Sequence, residues 1–149
     1  MTKERPQDVV AGPKEMVATL TEFFDALEGD DRETCSAIMK ASFDPAFEFS
    51  SAVTSVVEGR KHLGHEGMRR YIDEVLDAVE LTYTSRDFRT IGDNVVLFLT
   101  EVKALGHSSR AAVEQEIGFV FEYQNGLFTR GNSYPSHFKA LTEAEALGA

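Results

Sequence analysis

What this sequence lacks narrows its identity before any motif is read. It has one cysteine, Cys35, so no internal disulfide can form and a reducing cytoplasm is the expected compartment. A lone thiol of this kind is expected to be a small packing residue rather than a nucleophile. Basic residues are scarce: 15 Lys and Arg stand against 25 Asp and Glu, for a formal net charge of −10. Such a balance repels phosphate backbones and anionic lipid surfaces, which argues against nucleic acid and membranes as partners. Long apolar runs are also missing. The longest, Val95-Val96-Leu97-Phe98-Leu99, falls far short of the roughly 20 residues that span a bilayer. Residues Met1 to Lys14 carry no apolar core of the kind a secretory signal needs, and with Pro6 and Pro13 they read as a loose tail. No glycine-rich phosphate loop or dinucleotide fingerprint follows a strand-like segment, so no cofactor is expected.

What remains is the balance of one globular domain. In 149 residues, 42% are hydrophobic and 27% charged, enough to bury about two thirds of the unfolded surface. From Pro13 the residues Met16, Val17, Leu20, Phe23, Phe24 and Leu27 recur at intervals of three and four, the stripe of a helix that Gly29 ends. Asp30 with Glu33 resembles a capping box opening a short second helix that turns Cys35, Ile38 and Met39 inward and stops before Phe43. Phe47, Phe49 and Ser51 then alternate with Glu48 and Ser50, which predicts a short strand; Val53 to Leu63 reads as a loop. A third helix follows Gly64, with Met68, Tyr71, Ile72, Val75, Leu76 and Val79 at helical spacing. Four strands complete the domain, over 80–91, 94–105, 111–124 and 127–135, separated by Gly92-Asp93, Gly106 to Ser109, and the tight-hairpin pair Asn125-Gly126. Around Phe138, Leu141 and Leu147 the chain reads as a frayed helical tail. The expected organisation is a flexible tail over 1–12, a single domain over 13–140 and a C-terminal tail over 141–149.

Alternation along the strands assigns faces. In the 111–124 strand Val113, Gln115, Ile117, Phe119, Phe121 and Tyr123 share the core side, which makes Gln115 a polar group on an apolar face. The preceding strand is apolar on both sides near its start. If Val96 and Phe98 fill the core, Val95, Leu97 and Leu99, with Val120 beside them, present apolar area outward, and a homodimer through the outer face of the sheet is expected to cover it. Arg86, Asp87, Arg89, Glu101 and Lys103 are expected as a solvated outer charge pattern. Glu101 would be the best candidate base only if it turned inward.

The order helix, helix, strand, helix and four-strand meander resembles the nuclear transport factor 2-like superfamily. Gly64-His65-Glu66-Gly67-Met68-Arg69-Arg70-Tyr71 is similar to the start of its third helix, and Phe119 to Arg130 is similar to the last hairpin of SnoaL-like proteins, which are related to ketosteroid isomerases and polyketide cyclases. The resemblance spans about residues 14 to 140. It implies an α+β cone-shaped barrel, three helices packed on a strongly curved antiparallel sheet around an internal cavity. It carries no chemistry by itself. The places where the isomerases hold their tyrosine, aspartate base and neutral aspartic acid align with Phe23, Phe49 and Phe119. Those where the epoxide hydrolases hold an Arg and two Asp align with Phe98, Thr100 and Ser133. Gly106-His107-Ser108-Ser109 matches the cyclase turn poorly.

The candidate site is therefore an apolar wall of Phe23, Phe49, Phe98 and Phe119, with Thr100, Gln115 and Ser133 as its hydrogen-bonding groups. It suits a small apolar ligand carrying one or two oxygens. His62 and His65, near Glu58 and Glu66, have ligand chemistry suited to zinc, yet they straddle a loop and a helix start; no metal is expected, and hydrogen bonding at the helix start or exposure to solvent is the preferred role. His107 and His137 are expected at the surface. The leading functional expectation is a small-molecule-binding protein, with an isomerase, lyase or cyclase-like enzyme as the alternative.

Overall fold

The computed structural model describes residues 11–51 and 61–149. Most of the expected N-terminal tail, Glu58 and the loop from 53 to 60 lie outside the described residues. Three helices come first: α1 over Pro13–Glu28, α2 over Arg32–Ser42 and, after strands β1 (Phe43–Ser51) and β2 (Lys61–Leu63), α3 over Gly64–Ala78. Strands β3 (Val79–Ile91), β4 (Val95–Gly106), β5 (Ala112–Gln124) and β6 (Leu127–Tyr134) follow, then α4 over His137–Gly148.

Local chemistry explains the boundaries. Pro13 opens α1, where a missing N–H costs nothing, and the Gly12 N–H donates to the Glu15 carboxylate at 2.9 Å. The buried stripe Met16, Leu20, Phe23, Phe24 and Leu27 matches the helical period. The cap of α2 is one residue later than expected: Asp31 accepts from the Thr34 N–H at 3.1 Å and from its hydroxyl at 2.6 Å, while Asp30 takes a left-handed φ of 55° and pairs with Arg32. These two bonds hold the Asp31 carboxyl below the usual carboxylate range. Asn125 and Gly126 both have positive φ, at 55° and 77°, as a tight hairpin between β5 and β6 demands.

The sheet runs β2-β1-β6-β5-β4-β3. It is mixed rather than wholly antiparallel, because β1 lies parallel to β6, with Phe49 opposite Gly131 and Ser51 opposite Ser133. A bulge between Thr84 and Asp87 bends β3 at its middle, with Ser85 at φ 51°. Side chains satisfy the backbone that the bulge frees. Glu28 accepts from the Tyr83 N–H at 2.7 Å, Arg86 Nε donates to the Tyr83 carbonyl at 3.3 Å, and the Thr100 hydroxyl donates to the Thr84 carbonyl at 2.6 Å. Arg86 also pairs with Asp25 at 2.6 Å, which ties α1 to the bend.

The two faces of the sheet hold separate cores. The inner one gathers α1, α2 and α3 over rings such as Phe24, Phe43, Phe47, Phe98, Phe121 and Phe128. The outer one is closed by α4, which runs through the segment expected to be a tail. Ala140 and Ala144 are fully buried against Val95, Leu97, Leu99 and Val120. Apolar area expected to meet a second subunit is thus covered within the chain. The helix comes close because β5 has Gly118 below it, where a Cβ would run into the Ala140 methyl. Its start is fixed by the Ser136 hydroxyl accepting from the Lys139 N–H, by Glu116 accepting from the His137 N–H, and by His137 Nε2 donating to the Thr100 carbonyl at 2.8 Å. Among the described residues, no helix is long and apolar enough to cross a membrane.

Candidate functional site

Between α1, α3 and the inner face of the sheet lies a cavity of about 530 Å³. Strand register orders the inner face of the sheet beneath it. Phe88, Phe98, Phe119, Ser133 and Ser51 face one another in a row across the sheet. Two steps farther along, Tyr83, Val102 and Gln115 form a second row, and Leu81, Ala104 and Val113 a third. Val113 is 59% exposed and marks the mouth. The helices supply Phe23, Phe24 and Leu27 from α1, and Met68, Tyr71, Ile72 and Val75 from α3.

Five of the seven residues expected at the site line this space: Phe23, Phe49, Gln115, Phe119 and Ser133. Phe98 and Thr100 do not. Phe98 is stacked on Phe88 with centroids 4.1 Å apart and meets Phe24 at 4.7 Å, so its ring is core beneath the cavity rather than wall. Thr100 is buried with its hydroxyl turned to the bulge of β3, whose freed Thr84 carbonyl it satisfies. Glu101 is exposed opposite Glu116 on the outer side, as alternation expects. The charges of β3 pair differently from the expected hairpin pattern: Arg89 with Asp87 at 2.9 Å, and Arg86 back to α1.

Polar groups in the wall are few and mostly engaged. Ser133 donates to the Ser51 hydroxyl at 3.0 Å, and both are buried. Gln115 is half-buried in the row with Tyr83. Glu74 is the one carboxylate among the described lining residues, and it is exposed at the rim. No Lys or Arg is among them. Cys35 is buried, and that burial pushes its thiol up to about 11, which leaves it a packing group.

The histidines divide. His65 Nε2 donates to the Phe43 carbonyl at 2.8 Å and His107 Nε2 to the Leu76 carbonyl at 3.0 Å, so both brace the backbone, as does His137. His62 alone lies on the cavity wall, its ring 4.2 Å from that of Tyr71 and 6.5 Å from that of Phe49. Among the described residues no three His, Cys, Asp or Glu side chains gather at one point. Sequence reasoning missed His62 because β2 is only three residues long, too short for alternation to declare a face. It also passed over Tyr83, on the one long strand whose faces the bulge confuses.

No family model matches the chain, and no curated protein matches it by sequence. Its backbone is nonetheless shared by solved structures. An NTF2-like protein from Burkholderia xenovorans LB400 superposes with a TM-score of 0.69 at 18% identity, over 92% of this chain and 99% of the other. A candidate SnoaL-like polyketide cyclase from Jannaschia sp. CCS1 gives 0.66 at 12% identity, over 97% and 99%. TerC, co-crystallised with polyporic acid, gives 0.65 at 14% identity, over 87% and 97%. The chain has the nuclear transport factor 2-like fold, an α+β cone as the sequence resemblance implied, with an open mixed sheet where an antiparallel one was expected.

Proposed function

We propose that this chain binds a small, largely apolar molecule inside the cone. One observation carries the reading: a cavity of about 530 Å³ walled by aromatic and aliphatic side chains, with only a few hydroxyl and amide groups converging on it. Volumes of roughly 300–1,000 Å³ with this lining are typical of ligand sites. A carboxylate or phosphate would lose its hydration with no Lys or Arg among the described lining residues to replace it, so a neutral ligand fits better. Several solved structures of the same fold are described as candidate polyketide cyclases or a candidate isomerase, which supports a pocket used in this way. The test is titration with a panel of neutral ring compounds and terpenoids against the parent protein, Phe119→Trp and Gln115→Leu. At least one compound should bind with an affinity that both substitutions change. A panel in which every bound compound is indifferent to both would remove the ligand from this cavity.

A second reading, an isomerase, lyase or cyclase-like enzyme, is favoured by His62, the one imidazole among the described lining residues. It sits on the wall against Tyr71, where a proton could be exchanged with a bound ligand. Loss of turnover in His62→Gln with binding retained would favour it over simple binding. Cytoplasmic residence is consistent with the free thiol of Cys35. A homodimer through the outer face would have to use the part that α4 leaves open, where Glu101 faces Glu116 and Lys103 faces Glu114. Sedimentation as a monomer at micromolar concentration would exclude it.

A further inference from the structure

We propose that the cavity takes a cation, and that its ligand is an apolar molecule bearing a quaternary or tertiary ammonium group held over the Tyr71 ring and beside Glu74. The inference rests on the cavity being the ligand site and adds the sign of the charge that the ligand carries.

What sets the wall against a carboxylate or phosphate favours the opposite sign. Aromatic faces carry negative charge density, and Phe49, Tyr71, Tyr83, Phe119 and Phe121 all line the space. Around Tyr71 the rings are dense: Phe49 lies at 5.6 Å and His62 at 4.2 Å between centroids. No Lys or Arg is among the described lining residues. Lys103, between the lining residues Val102 and Ala104, belongs to the outer face of β4 and sits opposite Glu114. A quaternary ammonium group spreads its charge over its alkyl groups, so rings can take over from water around it.

Glu74 supplies the counter-charge. Helix α3 bears four carboxylates, and three are engaged: Glu66 with Arg69, and Asp73 and Asp77 with Arg32. Glu74 makes no ion pair with a described residue, and it is the carboxylate that reaches the cavity rim. It stands three residues after Tyr71, the spacing that places two side chains next to each other on a helix. The last turn of α3 holds no basic residue to offset the negative end of the helix, and Ala78 and Val79 at that end line the cavity. A formal charge of −10 on the chain draws cations toward it as a whole.

The experiment compares (4-hydroxymethylphenyl)trimethylammonium with 4-tert-butylbenzyl alcohol, molecules of one shape that differ in a quaternary nitrogen or carbon. Titrations are run in low salt at pH 8, because a protonated His62 on the same wall would repel the ammonium group. In the parent protein the ammonium compound is expected to bind about fivefold more tightly, the scale of a partly desolvated cation–π contact. Added salt should narrow the gap by weakening the ammonium compound alone, since Glu74 is exposed. Glu74→Gln should weaken the ammonium compound about twofold, leave the alcohol unchanged and melt with the parent. Tyr71→Leu, which keeps an apolar side chain but removes the ring, should weaken the ammonium compound about threefold more than the alcohol. An alcohol that binds the parent as tightly as the ammonium compound, or substitutions that both affect the two compounds alike, would overturn the cation preference while leaving the cavity as a binding site. Failure of the parent to bind either compound would count against the cavity reading itself and the preference with it.

Discussion

Strands β4 and β5 present the same alternating residues to two different environments. Outward, Val95, Leu97, Leu99 and Val120 meet α4 through Ala140 and Ala144, and Gly118 lets the helix lie directly on the sheet. Inward, Phe98, Phe119 and Phe121 meet Phe24 of α1, and a space of about 530 Å³ is left beside them. Both faces are apolar; the difference lies in side-chain size and curvature. Small residues let a helix lie directly on the sheet. Large rings hold the helices away, and the bend that Glu28, Arg86 and Thr100 stabilise at the β3 bulge turns that separation into a cone. Hydrophobic pattern alone therefore marks what is buried, and residue volume decides whether the buried face is a seal or a container.

Substitutions can break the contrast from either side. The largest effect is expected at Phe98, which supports the floor of the cavity: Phe98→Ala should cost about 3–5 kcal/mol in urea denaturation, the usual range for a deleted buried ring. Gly118→Val should lift α4 from the sheet and cost about 2–3 kcal/mol by overpacking, with dye binding to the newly exposed outer face as a second readout. Glu28→Ala leaves the Tyr83 N–H without its acceptor and loosens the bend; a loss of about 1–2 kcal/mol is expected in the same measurement. Gln115→Leu, inside the container, should change stability by no more than about 0.5 kcal/mol while altering ligand affinity. A sealed inner face would instead make Gln115→Leu as disruptive as Gly118→Val.

Much of the architecture was legible because it follows local rules. The stripe on α1, the Asn125-Gly126 turn and the inward set from Gln115 to Phe121 all follow from period and turn chemistry. Pairing between distant segments was not. Nothing in the period of β1 says that it joins β6 in parallel, and nothing in the weak pattern of 137–148 says that two alanines will dock on a glycine. The site was half legible for the same reason. Phe23, Phe49, Phe119, Gln115 and Ser133 were placed by alternation and helical spacing, whereas Thr100 obeyed alternation yet spent its hydroxyl on a bulge in a neighbouring strand. Phe98 faced inward as expected but was covered by Phe88 and Phe119. His62 and Tyr83 became visible only when β2 and the bend of β3 set their directions.

The claim that one face is a container and the other a seal is tested most directly by the methyl spectrum of the protein as fluorene is added. The account predicts shifts confined to methyls of the inner wall, Met68, Ile72, Leu76, Val102 and Ile117, with Leu97, Leu99, Val120, Ala140 and Ala144 unmoved. Shifts centred on the methyls beneath α4, with the inner set unchanged, would contradict it.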